Sequence, residues 1–185
     1  MRPLLRVIDA LNAGGAAVAA LSCLALAVML IVEVIATSFL AWSQPWAVEY
    51  AAYLLCATLF AGSGWTLRQG GHIRVTLLTQ TLPEGARRLA DLIGTVFAIG
   101  VASFMTWASA ENALRSFERG SVSYYPSRTP LAFPQSVLAL GLLLLTLALL
   151  ARAIRLALDE PPEAGPAAPR PGEDAATGAR EGTAP

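Results

Sequence analysis

The stretch that decides the fold is residues 46–83, which read WAVEYAAYLLCATLFAGSGWTLRQGGHIRVTLLTQTLP. It opens as an apolar helix with the acid Glu49 in its first turn. The double glycine Gly70-Gly71 predicts the end of that helix, because glycine readily adopts the left-handed conformation that closes helices. The only histidine of the chain, His72, follows directly. The stretch therefore predicts a membrane span with polar groups at both rims.

Composition places the whole chain among membrane proteins. Its 185 residues are 55% hydrophobic and only 14% charged, whereas a soluble domain carries about 25% charged residues. The formal net charge is zero, which gives no electrostatic reason to expect a nucleic-acid partner. The two cysteines, Cys23 and Cys56, lie far apart in apolar runs and have neither redox nor metal-site spacing.

Four segments are long and apolar enough to span a bilayer, which takes about 20 residues. They are Ala16–Leu40, Trp46–Leu67, Leu89–Ala110 and Pro134–Ile154. The predicted fold class is therefore an all-α membrane protein with four transmembrane helices. The first span is interpreted as retained, not as a cleaved signal peptide, because its apolar run continues well past the small residues that could form a cleavage site.

Arginine placement predicts the orientation of these spans, since cytoplasmic flanks carry an excess of basic residues. Arginines precede the first span, crowd the link between spans two and three, and follow the fourth span. Both termini are therefore predicted to be cytoplasmic. In the second link, the run Arg74–Leu82 has its leucines on one side and predicts a short interfacial helix. The predicted domains are a cytoplasmic N-terminus at 1–15, a membrane domain at 16–156 and a disordered cytoplasmic tail at 157–185.

Ionisable groups inside the predicted spans are few. Glu33 lies within span one, where such a group is a functional candidate by default. Glu49 lies nearer the interface, where a carboxylate either complements the helix N-terminus or contacts a partner. The lone His72 has no second histidine to clamp a haem, and no nucleophile and base pair up within the spans. No catalytic, cofactor-binding or metal-binding residues are therefore predicted.

Three motifs, taken in order, resemble a known family. They are Pro45-Trp46-x-x-Glu49-Tyr50-x-x-Tyr53, then Gly71-His72-Ile73-Arg74-Val75 with Leu82-Pro83, and finally Ser127-x-x-Pro130-Leu131-x-x-Pro134. Together with four spans they are similar to the DctQ-type small permease of tripartite ATP-independent periplasmic (TRAP) transporters. The similarity covers roughly Arg6–Leu156.

This resemblance implies a multi-pass accessory subunit of the bacterial inner membrane, not an enzyme. Its partners would be a large TRAP permease subunit, a periplasmic substrate-binding protein and membrane lipids. The implied function is support of the large permease in ion-coupled uptake of an organic acid such as a carboxylate. The candidate partner contacts are Trp46, Glu49, Tyr53, Arg68, His72 and Arg74.

An alternative from another class stays open at this point. The chain could form a self-sufficient small oligomeric channel or carrier that uses Glu33 and Glu49. The two functions differ in where the transport chemistry lies, because the accessory subunit leaves it to the large permease.

Overall fold

The computed structural model describes residues 2–40, 42, 44–71, 83–158, 160, 161 and 164. Four helices make up this part of the chain: α1 Arg2–Leu40, α2 Ala47–Arg68, α3 Glu84–Glu118 and α4 Ala132–Ala157. The prediction of an all-helical fold is confirmed. The interfacial helix predicted at Arg74–Leu82 lies outside the described residues.

Three of the four helices are long and apolar enough to cross a membrane: Pro3–Leu40, Gly85–Glu118 and Ala132–Ala157. The predicted second span, α2, has 22 residues and is not among these three helices. It contains Glu49, two tyrosines and the glycine-rich run Gly62-Ser63-Gly64-Trp65-Thr66. Because α2 lies between two neighbours in the bundle, it presents less of its surface to lipid than an outer helix does. Its crossing of the membrane stays a prediction.

The glycine stop predicted at Gly70-Gly71 lies where α2 ends, and a second glycine, Gly120, ends α3. Gly70 follows α2 with φ of 74°, and Gly120 follows α3 with φ of 60°. These are left-handed conformations, which glycine adopts without the penalty that a Cβ brings. The N-terminal end of α1 differs from the prediction, because this helix begins at Arg2, well before the first predicted span. Leu5 and Ile8 on its first turns are buried against Ala151 of α4, which extends the bundle to the start of the helix.

Helix α4 is the centre of the bundle. It packs against α1, α2 and α3, and α1 and α2 also pack against each other, whereas α3 contacts α4 alone among the described helices. The helices alternate in direction, so the start of α1 meets the end of α4. We call this the arginine end, because Arg68, Arg152 and Arg155 lie there. The opposite end, where α2 and α4 begin, carries Trp46 and Tyr50 and is called the aromatic end.

Glycines allow α2 to approach both neighbours closely. A Cβ on Gly141 of α4 would lie 2.7 Å from the backbone carbonyl carbon of Phe60 in α2. A Cβ on Gly15 of α1 would lie 2.5 Å from the carbonyl oxygen of Ala61 in α2. The obstructing atoms are backbone, so they cannot move unless the helices separate. Such contacts between small residues are a main source of helix association in membranes.

Replacement of Gly141 by alanine is expected to destabilise the bundle by about 1–3 kcal/mol, the usual cost of overpacking. Gly100→Ala is the matched control, because an added Cβ at Gly100 of α3 meets no atom within 4 Å. That variant should be neutral or slightly stabilising, since alanine favours helix over glycine by up to about 1 kcal/mol. Thermal unfolding of the purified protein in mild detergent measures both. Equal stability of the two variants would contradict the close contact of α2 with α4.

Candidate functional site

The Glu49 carboxylate is the centre of a hydrogen-bonded cluster at the aromatic end. Glu49 is only 2% exposed. Tyr53, one helical turn further along α2, donates its hydroxyl to Oε1 of Glu49 at 2.5 Å. Ser127, in the loop between α3 and α4, donates its hydroxyl to Oε2. Hydrogen bonds to an ionised carboxylate are roughly twice as strong as bonds between neutral groups. The cluster therefore ties the first turn of α2 to the loop that precedes α4.

That loop, residues 121–131, is folded by its own backbone hydrogen bonds. Val122 and Pro130 form an antiparallel bridge between its two arms. At its tip, the N–H of Arg128 donates to the carbonyl of Tyr125 at 2.9 Å, which closes a turn. Ser127 lies within this turn. The hydrogen-bonded backbone of the loop therefore holds Ser127 in a defined position next to Glu49.

Aromatic side chains lie beside the Glu49 cluster. The rings of Trp46 and Tyr50 meet edge to face with their centroids 5.8 Å apart, and those of Tyr50 and Tyr53 are 5.9 Å apart. Trp46 is 42% exposed. A groove of about 530 Å³ opens next to the two tyrosines, between α2, the loop and the start of α4, and is also lined by Phe133 and Pro134. The aromatic end therefore offers an exposed, mostly apolar surface supported by a buried carboxylate.

A second polar cluster lies at the arginine end. Arg155 is 5% exposed, and its Nη2 atom lies 2.7 Å from Oδ2 of Asp9 in α1. Arg152, also buried, donates to the Thr95 hydroxyl and lies 3.8 Å from Oδ1 of Asp91, both in α3. The two arginines of α4 are thereby paired with acids on two other helices. This cluster holds together the helices on either side of α4.

The structure brings three of the six predicted partner contacts together. Trp46, Glu49 and Tyr53 lie within two turns of α2 at the aromatic end. Arg68 lies at the opposite end, where its Nε atom is 3.7 Å from Oδ2 of Asp9. Whether any of them touches another protein stays a prediction.

The remaining two predicted contacts, His72 and Arg74, lie outside the described residues. Glu33, the acid of the alternative function, is half-buried and accepts a hydrogen bond from the backbone N–H of Gln44 at 3.1 Å. It therefore stabilises the link between α1 and α2. Among the described residues, no three His, Cys, Asp or Glu side chains come close enough together to hold a metal ion.

Sequence reasoning missed the partners of two residues that it had singled out. It cited Ser127 only as part of a motif and Glu49 as a helix-terminal acid or a partner contact, although the two side chains bind each other. It used Arg152 and Arg155 only to orient the last span, although both are buried inside the bundle. A usable signal was present, because an arginine pair at i,i+3 lies on one face of a helix.

Two comparisons with known proteins agree on the family. The family described as "Tripartite ATP-independent periplasmic transporters, DctQ component" matches residues 26–159. This region includes the C-terminal part of α1 from residue 26 and all of α2, α3 and α4, with both buried arginines of α4. The chain is also 29% identical over 107 residues to the ectoine TRAP transporter small permease protein TeaB of Halomonas elongata.

The match to TeaB covers 58% of this chain and 55% of that protein, so the chain spans about half the length of this curated relative. The family match is broader, since it runs over well more than half of the chain and contains the complete Glu49 cluster. Its members are transporter subunits and not enzymes. The chain therefore belongs to the DctQ component family of tripartite ATP-independent periplasmic transporters.

Proposed function

We propose that this protein is the accessory small subunit of a TRAP transporter. It packs on a large permease in the bacterial inner membrane and supports ion-coupled uptake of an organic acid such as a carboxylate. The observation that carries the proposal is that buried charged side chains already have partners within the chain. Glu49 is bound by Tyr53 and Ser127, and Arg155 is paired with Asp9. Groups that are already engaged in holding the fold together would have to break these contacts to bind and release a solute, which supports a transport site on the partner.

The outer surface of the bundle supports a partner within the bilayer. Helix α3 contacts α4 alone among the described helices and exposes Phe97, Phe104 and Trp107. Helix α1 exposes large aliphatic side chains along its length, among them Leu11 and Ile35. In a membrane such faces meet either lipid tails or apolar helices of another subunit. Lipids and the large permease are the proposed neighbours of these two helices.

The aromatic end is the proposed periplasmic docking surface, with both termini on the cytoplasmic side. Trp46 is exposed enough to touch a partner directly. Buried Glu49 acts indirectly, because it holds the 121–131 loop beside the aromatic groove. A periplasmic substrate-binding protein would approach the same end. Arg68, with His72 and Arg74, forms the second proposed contact set, at the arginine end.

Reconstitution tests this function. The protein alone in liposomes is expected to give no solute uptake under an ion gradient. The same protein with its large permease and binding protein, both identified by co-purification from the native membrane, is expected to restore uptake. Uptake by this chain alone would overturn the proposal.

The same vesicles distinguish the accessory subunit from a small channel or carrier built on Glu33 and Glu49. Glu33→Gln keeps an oxygen that can accept the hydrogen bond of the Gln44 N–H. We therefore expect uptake by the three-component transporter to remain close to wild type. Glu118→Gln, a change at an exposed acid of α3, is the control and shows how much uptake varies when an unrelated acid is replaced. Abolished uptake in Glu33→Gln alone would favour the channel or carrier.

A further inference from the structure

A small polar cavity lies at the arginine end, where α1, α2 and α4 meet. Its lining includes Asp9, Asn12, Leu67, Ala148, Arg152 and Arg155. The volume open to the centre of a water molecule is about 10 Å³. That is close to the space a single water needs, and too little for any larger ligand.

The Asn12 side chain lines this cavity and carries a buried acceptor, Oδ1. Asn12 is 2% exposed, and its Nδ2 group donates to the carbonyl of Ile8 at 2.9 Å. This bond fixes the orientation of the amide, so Oδ1 points away from the Ile8 carbonyl. Oδ1 lies so close to Gly64 of α2 that a Cβ there would overlap it. Within the described part of the chain, Oδ1 receives no hydrogen bond. A buried carbonyl oxygen without a donor is costly, so a donor beyond the described residues is expected there.

The chemistry of the lining selects the ligand. The guanidinium groups of Arg152 and Arg155 only donate hydrogen bonds, and Asn12 Oδ1 only accepts them. A cation would be repelled by the arginines, and the one carboxylate of the lining, Asp9, is already paired with Arg155 and Arg68. An anion has no hydrogen to donate to Oδ1. Water both donates and accepts. We propose that this cavity binds one water molecule, which donates to Asn12 Oδ1 and accepts from the arginine side of the cavity. The water extends the Asp9–Arg155 network to the crossing of α1 with α2.

Selective labelling makes the proposal testable in the full-length chain. The chain contains only two asparagines, Asn12 and Asn112. Labelling with ¹⁵N-asparagine therefore reports one buried and one exposed side-chain amide in the same micelle sample. Water–amide nuclear Overhauser measurements are expected to show a long-lived water at Asn12 and only rapidly exchanging water at Asn112. The same short-lived hydration at both amides would overturn the proposal.

A second variant locates the water. Ala148 is buried and lines the cavity, so Ala148→Val fills part of the space while keeping Asn12 as the reporter. The long-lived water signal at Asn12 is expected to disappear in this variant. A signal that survives the substitution unchanged would place the water elsewhere and overturn the assignment to this cavity. Should the variant fold poorly, the comparison of Asn12 with Asn112 in the unaltered chain still decides.

Discussion

Replacement of Glu49 by alanine is expected to lower co-purification of the large permease several-fold. Glu49 is 2% exposed and accepts hydrogen bonds from Tyr53 and Ser127. Without the carboxylate both hydroxyls lose their acceptor, and a buried hydroxyl left without a partner is destabilising. The 121–131 loop also loses a link to α2. The proposed docking surface would therefore be disordered even though Glu49 itself faces inward.

Two further variants separate this effect from a general loss of charge. Ser127→Ala removes only one of the two hydrogen bonds, so its yield of co-purified permease should fall between Glu49→Ala and wild type. Glu118→Ala removes an exposed acid of α3 and should leave the yield unchanged. The measurement is the ratio of the two subunits after affinity purification in mild detergent. A wild-type ratio for both Glu49→Ala and Ser127→Ala would show that the Glu49 cluster does not contribute to docking of the large permease.

Replacement of Asp9 by alanine is expected to destabilise the bundle by about 2–3 kcal/mol. Removal of one partner from a buried ion pair costs about 3–5 kcal/mol, because it leaves the other charge uncompensated. Arg155 is buried, but the Asp9 side chain is 36% exposed, so the effect should fall below that range. Arg68, whose Nε atom is 3.7 Å from the same carboxylate, loses this contact as well.

The chain contains a matched control for this substitution. Arg115 and Glu111 form an ion pair at i,i+4 on α3, with side chains that are 57% and 35% exposed. Such a pair contributes only about 0.3–0.5 kcal/mol, so Arg115→Ala should change stability little. Titration of the purified protein with a denaturing detergent measures both variants. Equal losses of stability in Asp9→Ala and Arg115→Ala would show that burial of Arg155 does not make the Asp9–Arg155 pair more stabilising than an exposed pair.

Features that depend on short stretches of sequence were predictable. The end of α2 follows from Gly70-Gly71, because a left-handed residue is needed there and glycine supplies it most easily. The positions of α3 and α4 follow from apolar length, which is a property of consecutive residues. The start of α1 was harder to predict, since Leu5 and Ile8 are buried only because α4 extends to Ala151 beside them.

The polar clusters were not predictable in the same way. The bond between Glu49 and Ser127 joins residues that are 78 positions apart, and it depends on how a turn presents the serine. Arg155 looks like an orientation signal in sequence, because only the fold shows that Asp9 lies opposite it. The surroundings of α2 could not be predicted from its sequence either. A helix packed between two others can carry more polar residues than a lipid-facing helix. The sequence does not show which helices pack against α2.

The glycines at the helix crossings bear on how this bundle can change over evolutionary time. Gly15 and Gly141 do not have room for a single added carbon, and a Cβ on Gly64 would overlap Asn12. Substitutions that add a side chain are therefore tolerated more readily on the outward faces of α1 and α3. Those faces are the ones proposed to meet lipid or another subunit. The interior of the bundle can thus be kept while its exterior changes.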